Sequence, residues 1–509
     1  MKGVLQMTFY ENLRETQVKT SLEYTENGAL GYKTTGKELL DMNFKVSSYR
    51  NLDDREIKSD FTRVYYENPE LAIKFLFFVR DVREGMGERR LFRVCYLTLI
   101  YLNVNLSHKL LYFIAEYGRW DDLVYIYLNT SSLEIKERVF ANIYCQLEID
   151  FDNYNQNRSV SLLAKWFPSE KSKTYPRFFS EYCSFYGIAK PYLRKALREL
   201  REYLKVVEVN MCNKEWHKID YSGVPSKANL IYNGAFLRND TDRRSKYLDD
   251  LKSGKTKINA GTIFPHEIVH KYRYNFKYDE SLEQLWKSLP KNEIQDTIVV
   301  ADGSGSMGSS IGDTTVRASD IATALAIYFS EKMNGQFKNN FITFSTTPQL
   351  VNLDNCKSLK DKIAKTISYN EVSNTDIEAT FDLILQTSIR HEYNQSDMPK
   401  NILIISDMEF DQASGVKNFT RLGFSVHKTL FETINKKYLD NGYKMPKLIF
   451  WNVNSRTNVI PMQENENGVV LVSGFGTNVA SMIMSGKTDP YEILVEKLNS
   501  ERYLKISLT

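Results

Sequence analysis

Asp302-Gly303-Ser304-Gly305-Ser306-Met307 follows the run Asp296-Thr297-Ile298-Val299-Val300-Ala301 and precedes a helical pattern from about 314 to 332. A short apolar run bounded by turn residues predicts a strand covered on both faces. In open α/β sheets, ligands bind outside the carboxyl ends of the strands. Here one Asp and two Ser alternate on such a turn. Hard oxygen groups crowded together this way suit Mg²⁺, or Mn²⁺ in its place.

Reading outward from this turn, the chain divides by its periodicity. After residue 290, strands alternate with helices. Strands are expected at 296–301, 341–345, 401–406, 447–453 and 468–473, and helices near 314–333, 358–367, 376–391, 417–437 and 489–499. That alternation predicts a doubly wound α/β domain over 291–509. Before residue 290, helical patterns dominate, at 71–79, 91–101, 109–117, 121–127 and 191–201. Short helices separated by turns predict an α-helical, HEAT-like repeat solenoid over 1–290. The expected fold class is therefore α plus α/β, in two domains.

Charge is unevenly spread. Residues 151–290 hold 25 Lys/Arg against 16 Asp/Glu, a net of +9, while the whole chain of 509 residues carries only +4. A basic middle segment favours polyanions such as RNA. Within it, a helix beginning near Pro191 carries Arg194, Lys195, Arg198 and Arg201 along one face. Nearby Tyr186, Tyr192 and Tyr203 could stack bases, although core packing is the more ordinary role of such residues.

The five cysteines are scattered with no C-x-x-C pair, so buried, reduced thiols are expected rather than disulfides or a zinc cluster. Glu11, Arg14 and Glu15 stand where a signal peptide would need an apolar run, and no stretch is apolar enough to span a membrane. A soluble, cytoplasmic monomer is expected.

Two further segments need weighing. His266-Glu267-Ile268-Val269-His270 fits H-E-x-x-H, which on a helix places two imidazoles on one face with Glu267 as general base. It needs a third ligand and an open cleft, and no Gly-x-x-His follows. The charged stretch from Arg80 to Arg90 either lines a basic rim or pairs its arginines with Asp81, Glu84 and Glu88; the second is the expectation. Asp121 and Asp122 are expected to cap a helix.

Beyond the turn itself, Asn374-Thr375-Asp376 precedes a helix and Ile402-Leu403-Ile404-Ile405-Ser406-Asp407 is a strand ending in Asp. This set resembles a von Willebrand factor A domain with a metal-ion-dependent adhesion site. The resemblance implies Ser304, Ser306 and Thr375 as direct ligands and Asp302 and Asp407 as ligands acting through water. Few direct charges would leave the metal electrophilic, open to a carboxylate or phosphate from a partner.

In the helical half, Phe78-Val79-Arg80-Asp81, then Gly85-Met86-Gly87-Glu88-Arg89-Arg90-Leu91-Phe92-Arg93, and Tyr117-Gly118-Arg119-Trp120-Asp121-Asp122-Leu123 resemble the TROVE module of Ro ribonucleoproteins. The overall pattern is similar to the family called domain of unknown function 2828. It rests on Asn27-Gly28-Ala29, Ala164-Lys165-Trp166-Phe167-Pro168-Ser169-Glu170, Asp220-Tyr221-Ser222-Gly223-Val224-Pro225, Pro265-His266-Glu267-Ile268, Phe450-Trp451-Asn452-Val453 and Val472-Ser473-Gly474-Phe475.

These resemblances imply a helical ring closed by the metal-site domain, binding misfolded or structured small RNA as a non-enzymatic ribonucleoprotein scaffold. The alternative is a protein-interaction scaffold in which a partner's Asp or Glu completes the metal shell. The third reading is zinc-dependent hydrolysis through His266, Glu267 and His270.

Overall fold

A computed structural model describes residues 22–274, 276–290, 296–344, 347–369, 376–411, 430–461, 469–475 and 489–508. The chain forms two compact units, and they interleave along the sequence. One unit gathers residues 1–52, 265–277 and 291–497; the other gathers 53–264, 278–290 and 498–509. This differs from a single boundary at residue 290. Local periodicity identifies elements but carries no information about which distant segment each one packs against.

The first unit has a two-stranded antiparallel ribbon, β1 (Leu22–Tyr24) and β2 (Leu30–Tyr32). Its sheet comprises β3 (Thr297–Asp302), β4 (Asn340–Phe344), β5 (Gln349–Asn352), β6 (Asn401–Ser406), β7 (Lys447–Asn452) and β8 (Val469–Ser473). The strand order is β5-β4-β3-β6-β7-β8, parallel throughout except for the antiparallel β4–β5 pair.

Every residue of β3 is buried, as are all but the first of β6 and of β7. Such double burial is why these strands are continuous apolar runs without alternation. The helix Ala318–Lys332 is buried from Ala318 through Ser330 and packs on β3. The strand order reverses between β3 and β6, whose registers pair Ala301 with Ile405. A crevice opens at such a reversal, outside the carboxyl ends of the two strands. The predicted helix at 417–437 falls partly outside the described residues; the described part is Leu430–Asp440.

The second unit is helical. Asn68 caps Pro69–Arg80 by accepting from the Leu71 amide at 3.0 Å, and Pro69 sits at its first turn. This helix is buried from Leu71 through Arg80. Helices then follow in lengths from the four residues of Ile114–Tyr117 to the 23 of Leu133–Asn155. Among the described residues, no helix is long and apolar enough to cross a membrane. Of the cysteines, Cys95 and Cys183 are buried, whereas Cys145 and Cys212 are exposed and Cys356 is intermediate. The expectation of mostly buried thiols is thus met at two positions of five.

The carboxyl-terminal segment closes this unit. Arg502 Nε lies 2.8 Å from the buried Asp81 carboxylate, and its guanidinium covers the Tyr117 ring at 4.4 Å. Tyr503 packs edge-on against Phe78. Asp81 is therefore paired across 421 residues, and the expected pairing within residues 80–90 does not account for it. Removing one partner of a buried pair strands the other charge. An Arg502→Ala variant is expected to lose about 3 kcal/mol, read as a lower urea midpoint. An unchanged midpoint would show the pair to be idle.

Candidate metal-dependent docking site

The two strands that flank the sheet reversal each end in acid. Asp302 closes β3 and Asp407 immediately follows β6, and both are buried. Asp302 Oδ1 accepts from the Ser304 amide at 2.8 Å, which folds the turn back on the strand end. Its Oδ2 accepts from Ser406 Oγ at 2.6 Å, which ties β3 to β6. The Ser304 and Ser306 hydroxyls stand 2.9 Å apart, and Met307 below them is fully buried and anchors the turn. Ser306 also lies near enough to the Asp407 carboxylate to favour its charged form.

Burial raises the Asp302 carboxyl above the usual range, against hydrogen bonds from Ser304 and Ser406 that act to lower it. Burial also raises Asp407, and the neighbouring Asp302 charge raises it further, against Ser306 and Arg456. Two like charges held in one desolvated crevice are costly, and a cation between them is the direct relief.

After Asp407 the chain turns through Met408, a left-handed residue at φ 64° with a buried side chain. Such backbone strain outside glycine tends to collect at functional sites. Its amide donates to Ser406 Oγ at 2.9 Å. Next, the fully buried Glu409 accepts from the amides of Arg456 at 2.8 Å, Thr457 at 2.9 Å and Glu26 at 2.9 Å. Hydroxyls of Ser455 and Thr457 also donate to it. Glu409 thus fastens three segments together beneath the crevice.

The segment around β1 and β2 braces the same loop. Thr25 Oγ1 donates to the Phe410 carbonyl at 2.6 Å and Asn27 Nδ2 to the Glu409 carbonyl at 2.6 Å. Gly28 bridges Asp411. Arg456 lies at the rim, 2.6 Å from Glu26 and 3.5 Å from Asp407.

The structure therefore brings Asp302, Ser304, Ser306 and Asp407 together. Thr375 lies outside the described residues. Reading the sequence did not find Ser406, Met408, Glu409, Arg456 or Glu26. Ser406 had a signal in its place beside Asp407; Glu409 had none, because its donors lie 46 or more residues away. The donor set of hydroxyls and carboxylates fits a hard divalent cation such as Mg²⁺ or Mn²⁺. Among the described residues, no group of three or more His, Cys, Asp or Glu has metal-holding geometry.

The other candidates are placed differently. On the helix Pro265–Tyr274, His270 Nδ1 is 2.9 Å from Asp320 and its Nε2 is 3.1 Å from Thr315 Oγ1, so both ring nitrogens have protein partners. Burial acts to raise Asp320, but Arg273, the Arg317 amide and His270 outweigh it and hold it low. His266 is buried, its ring packed edge-on against Phe475. This helix is pinned to Ala318–Lys332 by ion pairs and packing.

On the helix Lys190–Tyr203, Arg194, Lys195 and Arg198 are exposed and each faces a glutamate, Glu170, Glu199 and Glu202 respectively. Arg201 does not share that exposed face. Its guanidinium turns inward to the Ala164 and Phe167 carbonyls at 2.7 and 2.9 Å, and burial lowers its pKa. The short helix Leu163–Trp166 ends there and leaves carbonyls needing donors. Tyr192 is exposed, Tyr186 stacks on Tyr144, and the Tyr203 hydroxyl donates to the Arg158 carbonyl. Asp122 accepts from the Arg119 amide at 3.0 Å, the capping role expected of it.

Residues 179–302 match the family described as Domain of unknown function (DUF2828), and residues 296–504 match that described as Domain of unknown function (DUF7788). The chain is similar to an uncharacterized protein of Acanthamoeba polyphaga mimivirus, 30% identical over 523 residues, covering 94% of this chain and 87% of that protein.

If Glu409 is the brace its bonds indicate, Glu409→Ala leaves the amides of residues 26, 456 and 457 without their acceptor and removes a fully buried carboxylate from beneath them. The expected cost is about 3 kcal/mol, with faster hydrogen exchange at those three amides. Unchanged exchange there would refute the bracing role.

Proposed function

We propose that this chain, which belongs to the family of the mimivirus protein and matches DUF2828 over residues 179–302, is a non-enzymatic binding protein whose sheet unit is a von Willebrand factor A-type domain. Its crevice would hold Mg²⁺ or Mn²⁺ through Ser304, Ser306 and Thr375, with Asp302 and Asp407 acting through water. When bound, the cation supplies an open coordination position to a partner's carboxylate. The observation that carries this reading is the Ser304–Ser306 hydroxyl pair, 2.9 Å apart, beside two buried carboxylates at the reversal of strand order.

The test is metal binding by the full chain. Mn²⁺ should bind saturably, and at 100 times its dissociation constant should add about 2.7 kcal/mol to stability. A Ser304→Ala/Ser306→Ala variant should weaken the metal at least about 10-fold, a loss on the scale of removing ligands or their supports. Partner capture that survives chelation would sink the docking role.

A second reading concerns the helical unit, which resembles TROVE modules and would bind small RNA. Exposure of Arg194, Lys195 and Arg198 supports it, while their glutamate partners weaken the local field. Reversing those three charges should lower RNA affinity and reduce the log–log salt slope by about 2. Arg201 is left intact in that variant because its bonds are structural. An unchanged slope would remove this face from consideration.

A further inference from the structure

In the helical unit, Arg80, Arg93 and Arg119 surround two aspartates. Asp122 accepts from Arg80 Nε at 2.8 Å, Arg93 Nε at 2.7 Å and the Arg119 amide at 3.0 Å. Asp121 accepts from Arg119 at 2.6 and 2.8 Å, from Arg93 at 3.4 Å and from the Tyr175 hydroxyl at 2.9 Å. Between them the two carboxylates accept seven hydrogen bonds.

A fourth guanidinium stands in the same neighbourhood. Arg89 is exposed at the first position of the helix Arg89–Leu102. Among the described residues, no carboxylate lies within ion-pair distance of it. Its surroundings lower its pKa first by desolvation, then by the charge of Arg119, with Asp121 opposing and Arg93 and Arg80 adding to the lowering. A fifth cation, Lys165, lies 5.6 Å from the Trp166 ring centroid, and Arg119 covers the same indole at 3.9 Å. Three of these cations share the two aspartates, and Arg89 and Lys165 add positive charge beside them.

We propose that Arg89, with Arg119 and Lys165, forms a phosphate-binding site. The chemistry follows from the imbalance. A guanidinium offers parallel donors that fit two phosphate oxygens. Arg119 is already oriented by Asp121 and the indole, so little side-chain freedom is lost on binding. The backbone amides that open Arg89–Leu102 add a favourable field for an anion. The phosphate could belong to a small phosphoryl compound or to a nucleic-acid strand, and the site is independent of metal-dependent docking.

The full chain is titrated at constant ionic strength with inorganic phosphate and with chloride, and separately with a short single-stranded RNA bearing either a 5′-phosphate or a 5′-hydroxyl. Phosphate or RNA should bind saturably, chloride should not mimic it, and Arg89→Ala should weaken binding at least about 10-fold. Arg89→Lys should recover part of the loss, and circular dichroism should show the Arg89→Ala fold intact. Binding of inorganic phosphate alone assigns a small phosphoryl ligand. Binding of both RNAs alike assigns backbone phosphodiesters, and preference for the 5′-phosphate assigns a strand end. Equal affinity in Arg89→Ala, or no binding of any phosphate probe by the wild-type chain, would overturn the site.

Discussion

Two carboxylates, Asp302 and Asp407, are buried at the ends of neighbouring parallel strands, and this is the constraint that organises the sheet unit. Desolvation and mutual repulsion both oppose charging them. The surrounding architecture supplies what compensation the protein itself can offer. Ser304 and Ser406 donate to Asp302, Ser306 favours the charged form of Asp407, and Arg456 approaches from the rim. The left-handed Met408 lets the chain leave β6 without moving Asp407 away. Bringing hydroxyls and carboxylates together in this way is expensive, so the arrangement makes physical sense when it serves a ligand.

The helical unit shows the opposite imbalance. There three arginines converge on two aspartates, Asp121 and Asp122. Buried Arg244 shows another way to hold a cation. Among the described residues no carboxylate bonds to it; instead Asn229, Asn233 and Ser281 accept its protons while Tyr221, Phe236 and Tyr247 surround it at 5.0–5.2 Å. Amide dipoles and ring faces suffice when they are already oriented.

How far the sequence could be read depended on the range of the interaction. β3, β6 and β7 were legible because burial on both faces writes a continuous apolar run. β5 was missed: it has two apolar residues, Leu350 and Val351, and pairs antiparallel with β4 at an edge. Asp302, Ser304, Ser306 and Asp407 were found because each sits on a strand end or its adjoining turn. Glu409 and Arg456 were invisible, since what gives them a role is donors and acceptors on other segments. Arg201 was misread because helical spacing places a side chain on a face but cannot say that carbonyls at the edge will draw it in. The interleaving of the two units left no local trace at all.

The ribbon of β1 and β2 has a consequence for how the chain is made. Thr25 finds its partner Phe410 across 385 residues, and Tyr32 bridges Ile460. At a ribosomal pace of about 5–20 residues per second, the amino-terminal segment waits roughly 20–80 s for that partner to be synthesised. By the end of that interval residues 53–264 are already made, yet their own unit still lacks 498–509. The first-made strands stay unpartnered across hundreds of residues of synthesis, and a chaperone that shields them while the rest is translated would be acting on the stage of greatest exposure.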